Sequence, residues 1–441
     1  MKKITLPLIL SLILISPAFV FAQTSTDTVV TLKQCVEFAL RNQPAVKQAS
    51  IDQQINEKDI RIGLSAWLPQ VTSAGEYDHY FKGSPAASAA LAGSGTTTSV
   101  KEFSSLGLQA SQVIYNNDVL QAAKAAKYSR LYYKENIVSS QINVVSDVSK
   151  AFFDVLLSQK QLDILNEDIA RLQRSLKDAY NRYSAGVSDK IDYKQATISL
   201  NNSLASRKQT AEAIKSKIAY LKQIMGISAN NNLILSYDST HYEQEAYIDT
   251  NQKLDVNNRI EYRLLQTTKG LQNVNVNYYK YGFLPSISAV GSYSWLYLSD
   301  KFSNLYNQSY PNAYAGLSLS LPIFQGTKRL QNLSKARLQV DRTDLDIVNS
   351  ANTINTEYVQ ALAGYKSNYT SWQYIKQNVD LAKDVYKVVS LQYREGIKTY
   401  LDVIVAQSDL RTAELNYYNA LFQLLSTKID LEKSLGILSV Q

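Results

Sequence analysis

Few residues of this chain have the type and spacing that chemistry requires. The two histidines lie far apart, His79 in a stretch of alternating residues and His241 within NNNLILSYDSTHYEQEAYIDTNQ. The single cysteine, Cys35, sits inside the helical pattern TLKQCVEFAL, so the chain has no pair for an internal disulfide. No nucleophile elbow, phosphate-cradling glycine loop or metal-spaced ligand cluster occurs. Past the leader, Met225 and the two histidines are the soft or borderline ligands on offer, which disfavours a heavy-metal cargo. The sequence therefore predicts neither catalysis nor a cofactor. What stands out instead is a pair of carboxylates, Asp192 and Asp402, each a few residues beyond a glycine turn. A carboxylate in the first turn of a helix is favoured by the helix dipole alone.

The elements around these residues say more. Lys2 and Lys3 precede the apolar run Ile4–Ile15, and a small-residue site follows at Val20-Phe21-Ala22, so residues 1–22 read as a cleaved signal peptide. Cys35 does not follow that site directly, which excludes a lipid on the first mature residue. Loss of Lys2 and Lys3 lowers the net charge from +8 to +6, mild for 441 residues. No cluster of Lys and Arg interleaves with stacking aromatics, so nucleic acid is not an expected partner. Beyond the leader no stretch approaches the ~20 uninterrupted apolar residues of a membrane helix. Any membrane this protein spans is crossed by strands. The 31 tyrosines suit a protein with much surface between water and an apolar phase.

Neither Pro nor Gly occurs from Val119 to Ala185, and apolar positions from Val138 to Leu176 recur mostly every three or four residues. From about 117 to 184 one helix would be ~100 Å long at 1.5 Å per residue. Gly186 ends it, and a second helix runs from Lys190 to Gly226. Upstream, Thr31 and Gln34 make a capping box for a helix continuing to about Ala66, bent at Pro44. These two shorter helices, ~55 Å each, match the long one when stacked end to end.

The layout then repeats. AWLPQVTSAGEY at 66–77 returns as GFLPSISAVGSY at 282–293, and a second long helical window covers 327–394. RYSAGVSDKIDYKQA at 182–196 aligns with QYREGIKTYLDVIVA at 392–406, so Tyr183/Tyr393, Gly186/Gly396 and Asp192/Asp402 fall in register. An internal duplication follows. It divides the mature chain into a first repeat at 23–227, an inter-repeat segment at 228–257 and a second repeat at 258–441.

Between helices lie four predicted strands, at about 69–80, 103–114, 285–297 and 313–323. Ile287, Ala289, Tyr293, Trp295 and Tyr297 share one parity, and Ser286, Ser288, Ser292 and Ser294 the other. Ala315, Leu317, Leu319 and Leu321 alternate likewise with Gly316, Ser318 and Ser320. One apolar and one small-polar face is the pattern of a barrel strand between lipid and a wet lumen. Four strands cannot close, and an open edge in lipid leaves backbone groups unsatisfied at several kcal/mol each. The chain must therefore assemble: two copies give eight strands with a filled interior, three give twelve and a lumen.

Signal peptide, helix–strand–strand–long helix–helix twice over, Leu-Pro at the helix-to-strand switch and an Ala-Gly-Val-type turn between coiled helices together resemble the TolC-type outer-membrane efflux protein family, over residues 30 to 437. The resemblance implies a mostly α fold with a membrane β-barrel: a homotrimer in the bacterial outer membrane, with a twelve-stranded barrel among outer-membrane lipid and a long periplasmic α-helical tunnel. It implies an inner-membrane pump and a periplasmic adaptor, or membrane fusion protein, as partners. The tips that meet the adaptor correspond to Ala185-Gly186-Val187 and Glu395-Gly396-Ile397, whose glycines equally serve as left-handed helix caps. The periplasmic aperture corresponds to Tyr393, Lys398 and Asp402, with Asp192 as the first-repeat counterpart, while Val405 stands where the family places a second aspartate. The implied function is a passive exit duct for small molecules or drugs. An exit duct for type I protein secretion is the alternative, and a structural periplasmic coiled-coil protein would leave the serine-alternating strands unexplained.

Overall fold

A computed structural model describes residues 29–82, 100–236 and 239–439. The predicted signal peptide, most of the loop at 83–102 and the side chain of His241 lie outside the described residues.

In chain order the elements are β1 (Val29–Val30), α1 (Leu32–Asn42), α2 (Pro44–Leu64), β2 (Gln70–His79), β3 (Glu102–Tyr115), α3 (Asn117–Ser184), α4 (Lys190–Met225), β4 (Ile234–Leu235) and α5 (Ser239–Glu245). Then follow α6 (Ile260–Lys280), β5 (Ser286–Ser299), β6 (Ser309–Ser320), α7 (Lys328–Arg394) and α8 (Tyr400–Leu435). The Thr31–Gln34 capping box forms as expected. The single bent helix does not: Gln43 is extended at φ −62°, ψ 125°, and α2 starts afresh with Pro44 at its first position. A residue before proline is driven out of the helical region, so the chain breaks instead of bending. Gly364, by contrast, interrupts nothing, and α7 is continuous for 67 residues.

Helices α3 and α7 run the full length, ~100 Å at 1.5 Å per residue. On the side near the strands α3 packs against α2 and α6, and α6 against α7; on the far side the lateral order is α4, α3, α8, α7. The shorter helices meet end to end. A Cβ built on Gly226 would stand 2.7 Å from the Asn42 carbonyl oxygen, and one on Gly436 2.9 Å from that of Asn258. Arg259 fastens the second joint, donating from Nη1 to the Ser434 carbonyl at 3.1 Å while pairing with Glu261 and Glu357.

The main core lies at the level of these joints, where Phe152, Leu156, Leu221, Leu424 and Leu425 are fully buried with Cys35. Burial pushes the Cys35 thiol up to about 12, which keeps it protonated and inert. The inter-repeat segment wraps this level: β4 pairs in parallel with β1, and the buried Tyr365 hydroxyl accepts from the Ile248 amide and donates to the Ala246 carbonyl, both at 3.0 Å.

The four long strands form one antiparallel sheet in the order β2-β3-β5-β6, so the two repeats join through β3 and β5. Each strand differs from its sequence-based range by up to four residues. β6 departs most: it begins at Ser309 and ends at Ser320, because Pro322 brings no amide hydrogen to a ladder. The segment before it contains a short helical turn at Phe302–Asn307. Register joins the faces. Leu106 is opposite Trp295, Leu108 opposite Tyr293, and Ala289 opposite Leu317, so one face carries Val71, Leu106, Leu108, Tyr293, Trp295, Leu317 and Leu319. The other carries Thr72, Gln109, Ser111, Ser288, Ser292 and Ser318. No described helix is long and apolar enough to cross a membrane.

Candidate functional site: the paired hairpin tips

At the end remote from the sheet, both helical hairpins turn in the same way. After Ser184 the chain passes through Ala185 to Gly186 at φ +71°, and after Arg394 through Glu395 to Gly396 at φ +76°. The Val187 amide donates to the Arg182 carbonyl at 2.9 Å and the Gly186 amide to the Tyr183 carbonyl at 3.0 Å. The Ile397 amide donates to the Gln392 carbonyl at 2.8 Å and the Gly396 amide to that of Tyr393 at 3.1 Å. These are two Schellman caps, which need a left-handed residue that glycine supplies without strain. Such caps usually fold the next apolar residue back onto the helix. Here that partner position holds Arg182 or Gln392, and Val187 and Ile397 remain 71% and 70% exposed. The glycines serve as caps, and each presents an aliphatic side chain outward.

The restarts differ. Asp189 caps α4, accepting from the Ile191 amide at 3.1 Å, which leaves Asp192 free of that task. In the second repeat Asp402 closes a capping box with Thr399: its Oδ2 accepts from the Thr399 amide at 2.9 Å and hydroxyl at 2.8 Å. Those hydrogen bonds hold the Asp402 carboxyl below its usual range. Lys398 Nζ stands 4.0 Å from Asp402 Oδ1, within the same turn. Val405, in the place of a second aspartate, is half exposed.

Tyr393 is organised by residues that the sequence did not single out. The Arg182 guanidinium lies 4.6 Å from the centroid of its ring, a cation–π contact between the two hairpins. Tyr400, almost fully buried with Ala179 and Ala196, has its ring 5.8 Å from that of Tyr393. The Tyr393 hydroxyl is buried and has no hydrogen-bond partner among the described residues. Burial raises the phenol of Tyr393, with Arg182 opposing and Asp192 and Asp178 reinforcing the shift. Burial raises Tyr400 as well, so both stay neutral. Asp178, Asn181 and Arg182 line a cavity of about 260 Å³ with Tyr386, Tyr393 and Arg394. The tips thus bring Tyr393 and Arg182 together, with Asp192 acting on the Tyr393 phenol through its charge, while Lys398 and Asp402 pair with one another. Arg182 carried no sequence signal, because its counterpart in the other repeat is Gln392.

About 25 Å above the first tip, by helix rise, a buried polar node joins three helices. Asp168 of α3 is 1% exposed. Its Oδ2 accepts from Ser203 Oγ of α4 at 2.9 Å, its Oδ1 from Gln407 Nε2 of α8 at 2.9 Å, and Arg411 Nη1 lies at 3.4 Å. Arg171, a turn away, bridges to Glu414 at 3.6 Å, and burial raises that carboxyl.

Long paired helices on a sheet that is apolar on one face and polar on the other define a channel protein of the outer membrane, with a helical extension below its strands. The chain belongs to the outer membrane efflux protein family, whose profile matches residues 36–227 and 272–437. It is 21% identical over 439 residues to the outer membrane protein TolC of Vibrio cholerae, covering 96% of each chain. Over 417 residues it is 20% identical to the probable efflux pump outer membrane protein TtgC of Pseudomonas putida, covering 92% of this chain and 82% of that one. In fold it is similar to the CmeC outer membrane channel of Campylobacter jejuni, with a TM-score of 0.73 at 18% identity, covering 92% of this chain and 85% of that one.

Proposed function

We propose that this protein is the exit duct of a tripartite efflux system: a homotrimer that passively conducts small molecules or drugs, delivered by an inner-membrane pump through a periplasmic adaptor, out across the outer membrane. The carrying observation is the four-stranded sheet whose outer strands, β2 and β6, each pair on one side only. Lipid does not tolerate such edges, and three copies close them into twelve strands with the serine face inward. The helices offer a matching seam. Along α7, Leu338 and Leu345, then Tyr374, Leu381 and Val388, are exposed at spacings of seven, the rhythm of a coiled-coil partner face. On the opposite flank Ile51, Ile55 and Ile62 of α2 and Ile191 and Ile198 of α4 are exposed. A neighbouring copy covers both stripes.

The tips then converge on the trimer axis. Two carboxylates ~6 Å apart repel by only about 0.7 kcal/mol at the dielectric of water. Contacts that Tyr393 and Lys398 make between copies therefore outweigh that repulsion and hold the resting duct narrow. In planar bilayers, trimeric protein carrying Tyr393→Phe and Lys398→Ser together should show a larger single-channel conductance than the parent. Asp402→Asn keeps the acceptor that caps α8 and removes the charge, so it should mainly weaken cation selectivity. Unchanged conductance and unchanged selectivity would place the constriction elsewhere, and a stable monomer in the bilayer would defeat the trimer.

For the adaptor, the exposed Val187 and Ile397 supply the docking knobs. Val187→Asp with Ile397→Asp should lower site-specific crosslinking to the adaptor at least tenfold while the trimer forms normally. Crosslinking at the parent level would remove these turns from the contact.

A further inference from the structure

Several strongly exposed apolar residues lie where strands pass into helices. Ile323 and Phe324 are 88% and 86% exposed, with Leu68 and Phe283 about half exposed nearby in the chain's plan. Three of the four strand–helix junctions carry a Leu-Pro pair: Leu68-Pro69, Leu284-Pro285 and Leu321-Pro322. The apolar alternation of Leu317 and Leu319 continues in the sequence through Leu321 and Ile323, past the last ladder pair at Ser320, and Phe324 follows directly.

Charge at this level is one-sided. The helix turns adjoining the sheet carry Arg61, Lys280, Lys328 and Arg329 against a single carboxylate, Asp118. The Arg329 guanidinium lies 5.7 Å from the Phe283 ring centroid, and Lys280 Nζ lies 5.4 Å from that of Tyr281. At the other end of the sheet Glu76, Asp78, Glu102 and Asp300 mix with Lys82, Lys101 and Lys301. A 14-residue strand at ~3.3 Å per residue, tilted by about 40°, rises roughly 35 Å, so the strand ends fall at headgroup level on both sides of a ~25 Å apolar band.

We propose that this collar is a phospholipid-binding surface: Ile323 and Phe324 insert among the acyl chains of the periplasmic leaflet, and Lys280, Lys328 and Arg329 hold the anionic phosphodiesters of its headgroups. The arrangement sets an aliphatic and aromatic wedge beside cations, and the charged heads of two of them, Lys280 and Arg329, lie over the rings of Tyr281 and Phe283, which suits the boundary between hydrocarbon and headgroups. The competing occupant is the neighbouring copy, whose Leu68 would approach the end of β6 when the barrel closes. The inference rests on the barrel reading, and the test separates the two.

Phe324→Cys, labelled with a nitroxide in vesicles of phosphatidylethanolamine and phosphatidylglycerol, reports the environment directly. Cys35 is fully buried with a raised thiol, so it stays unlabelled. The expected result is relaxation by dissolved oxygen in excess of relaxation by an aqueous nickel chelate. Dominant nickel access, or access by neither, would overturn the wedge and place Phe324 in water or in the seam between copies. Leu317→Cys is the control: if it too lacks oxygen access, the barrel reading fails, and if it alone has access, only the collar fails. For the headgroup part, native mass spectrometry of the trimer should show Lys328→Gln with Arg329→Gln retaining phosphatidylglycerol several-fold less than the parent, with phosphatidylethanolamine unaffected. Equal retention of phosphatidylglycerol would overturn the charge assignment.

Discussion

Asp168→Ala should lower stability by about 3 kcal/mol, read as a fall in the thermal midpoint of the helical signal of the purified trimer. The substitution removes the common acceptor of Ser203, Gln407 and Arg411 from a position 1% exposed to solvent. Breaking a buried charge pair costs about 3–5 kcal/mol because the partner charge is left uncompensated. The lower end applies because the Arg411 side chain is 31% exposed and recovers some hydration. Asp168→Asn keeps an acceptor for Ser203 and should cost about half as much, a lost charge-assisted hydrogen bond being worth about 1.5–3 kcal/mol. Equal midpoints for Asn and Ala would show that charge, not hydrogen bonding, holds the node; parental midpoints for both would show that it holds nothing. Since Asp168 ties α8 to α3 and α4, the Ala variant should also broaden the conductance distribution, the tips being the parts that swing most below a loosened joint.

Leu317→Arg should deplete outer-membrane trimer while Ser318→Arg leaves it near the parental level. Leu317 faces Ala289 across the ladder on the apolar face, and Ser318 faces Ser288 on the polar one. An arginine on the lipid face costs about 2–4 kcal/mol at mid-depth and little where it reaches water. Heat-stable trimer on gels of outer-membrane fractions measures the difference. Equal loss for both substitutions would refute the assignment of faces, since a shift by one residue exchanges every side chain between them.

The sequence by itself determined the parts that local chemistry dictates. The run without Pro or Gly before Ala185, the glycines at 186 and 396 and the Thr31–Gln34 box specify helices, caps and their lengths, because each acts through bonds to its own neighbours. Duplication and the serine parity of β5 and β6 were legible for the same reason: period and register are written along the chain. The parity of the first-repeat strands was not. In β3 the apolar set is Leu106, Leu108 and Ala110, and only pairing with Tyr293 and Gly291 shows that it shares the face of Trp295. The break at Gln43 needed the backbone, since a proline at the first helical position and a proline-bent helix read alike.

At the tips the sequence supplied Tyr393, Lys398, Asp402 and Asp192, and the tertiary structure decided what each touches. Asp402 is occupied with its own helix, because Thr399 stands three residues before it. Tyr393 meets Arg182 from the other hairpin, a contact between residues 211 apart that no spacing rule encodes. The Asp168 node is the extreme case. One aspartate among the polar residues of a coiled helix looks like any solvated position, and it becomes a buried joint only when α4 and α8 close over it and remove the water that would otherwise satisfy its charge.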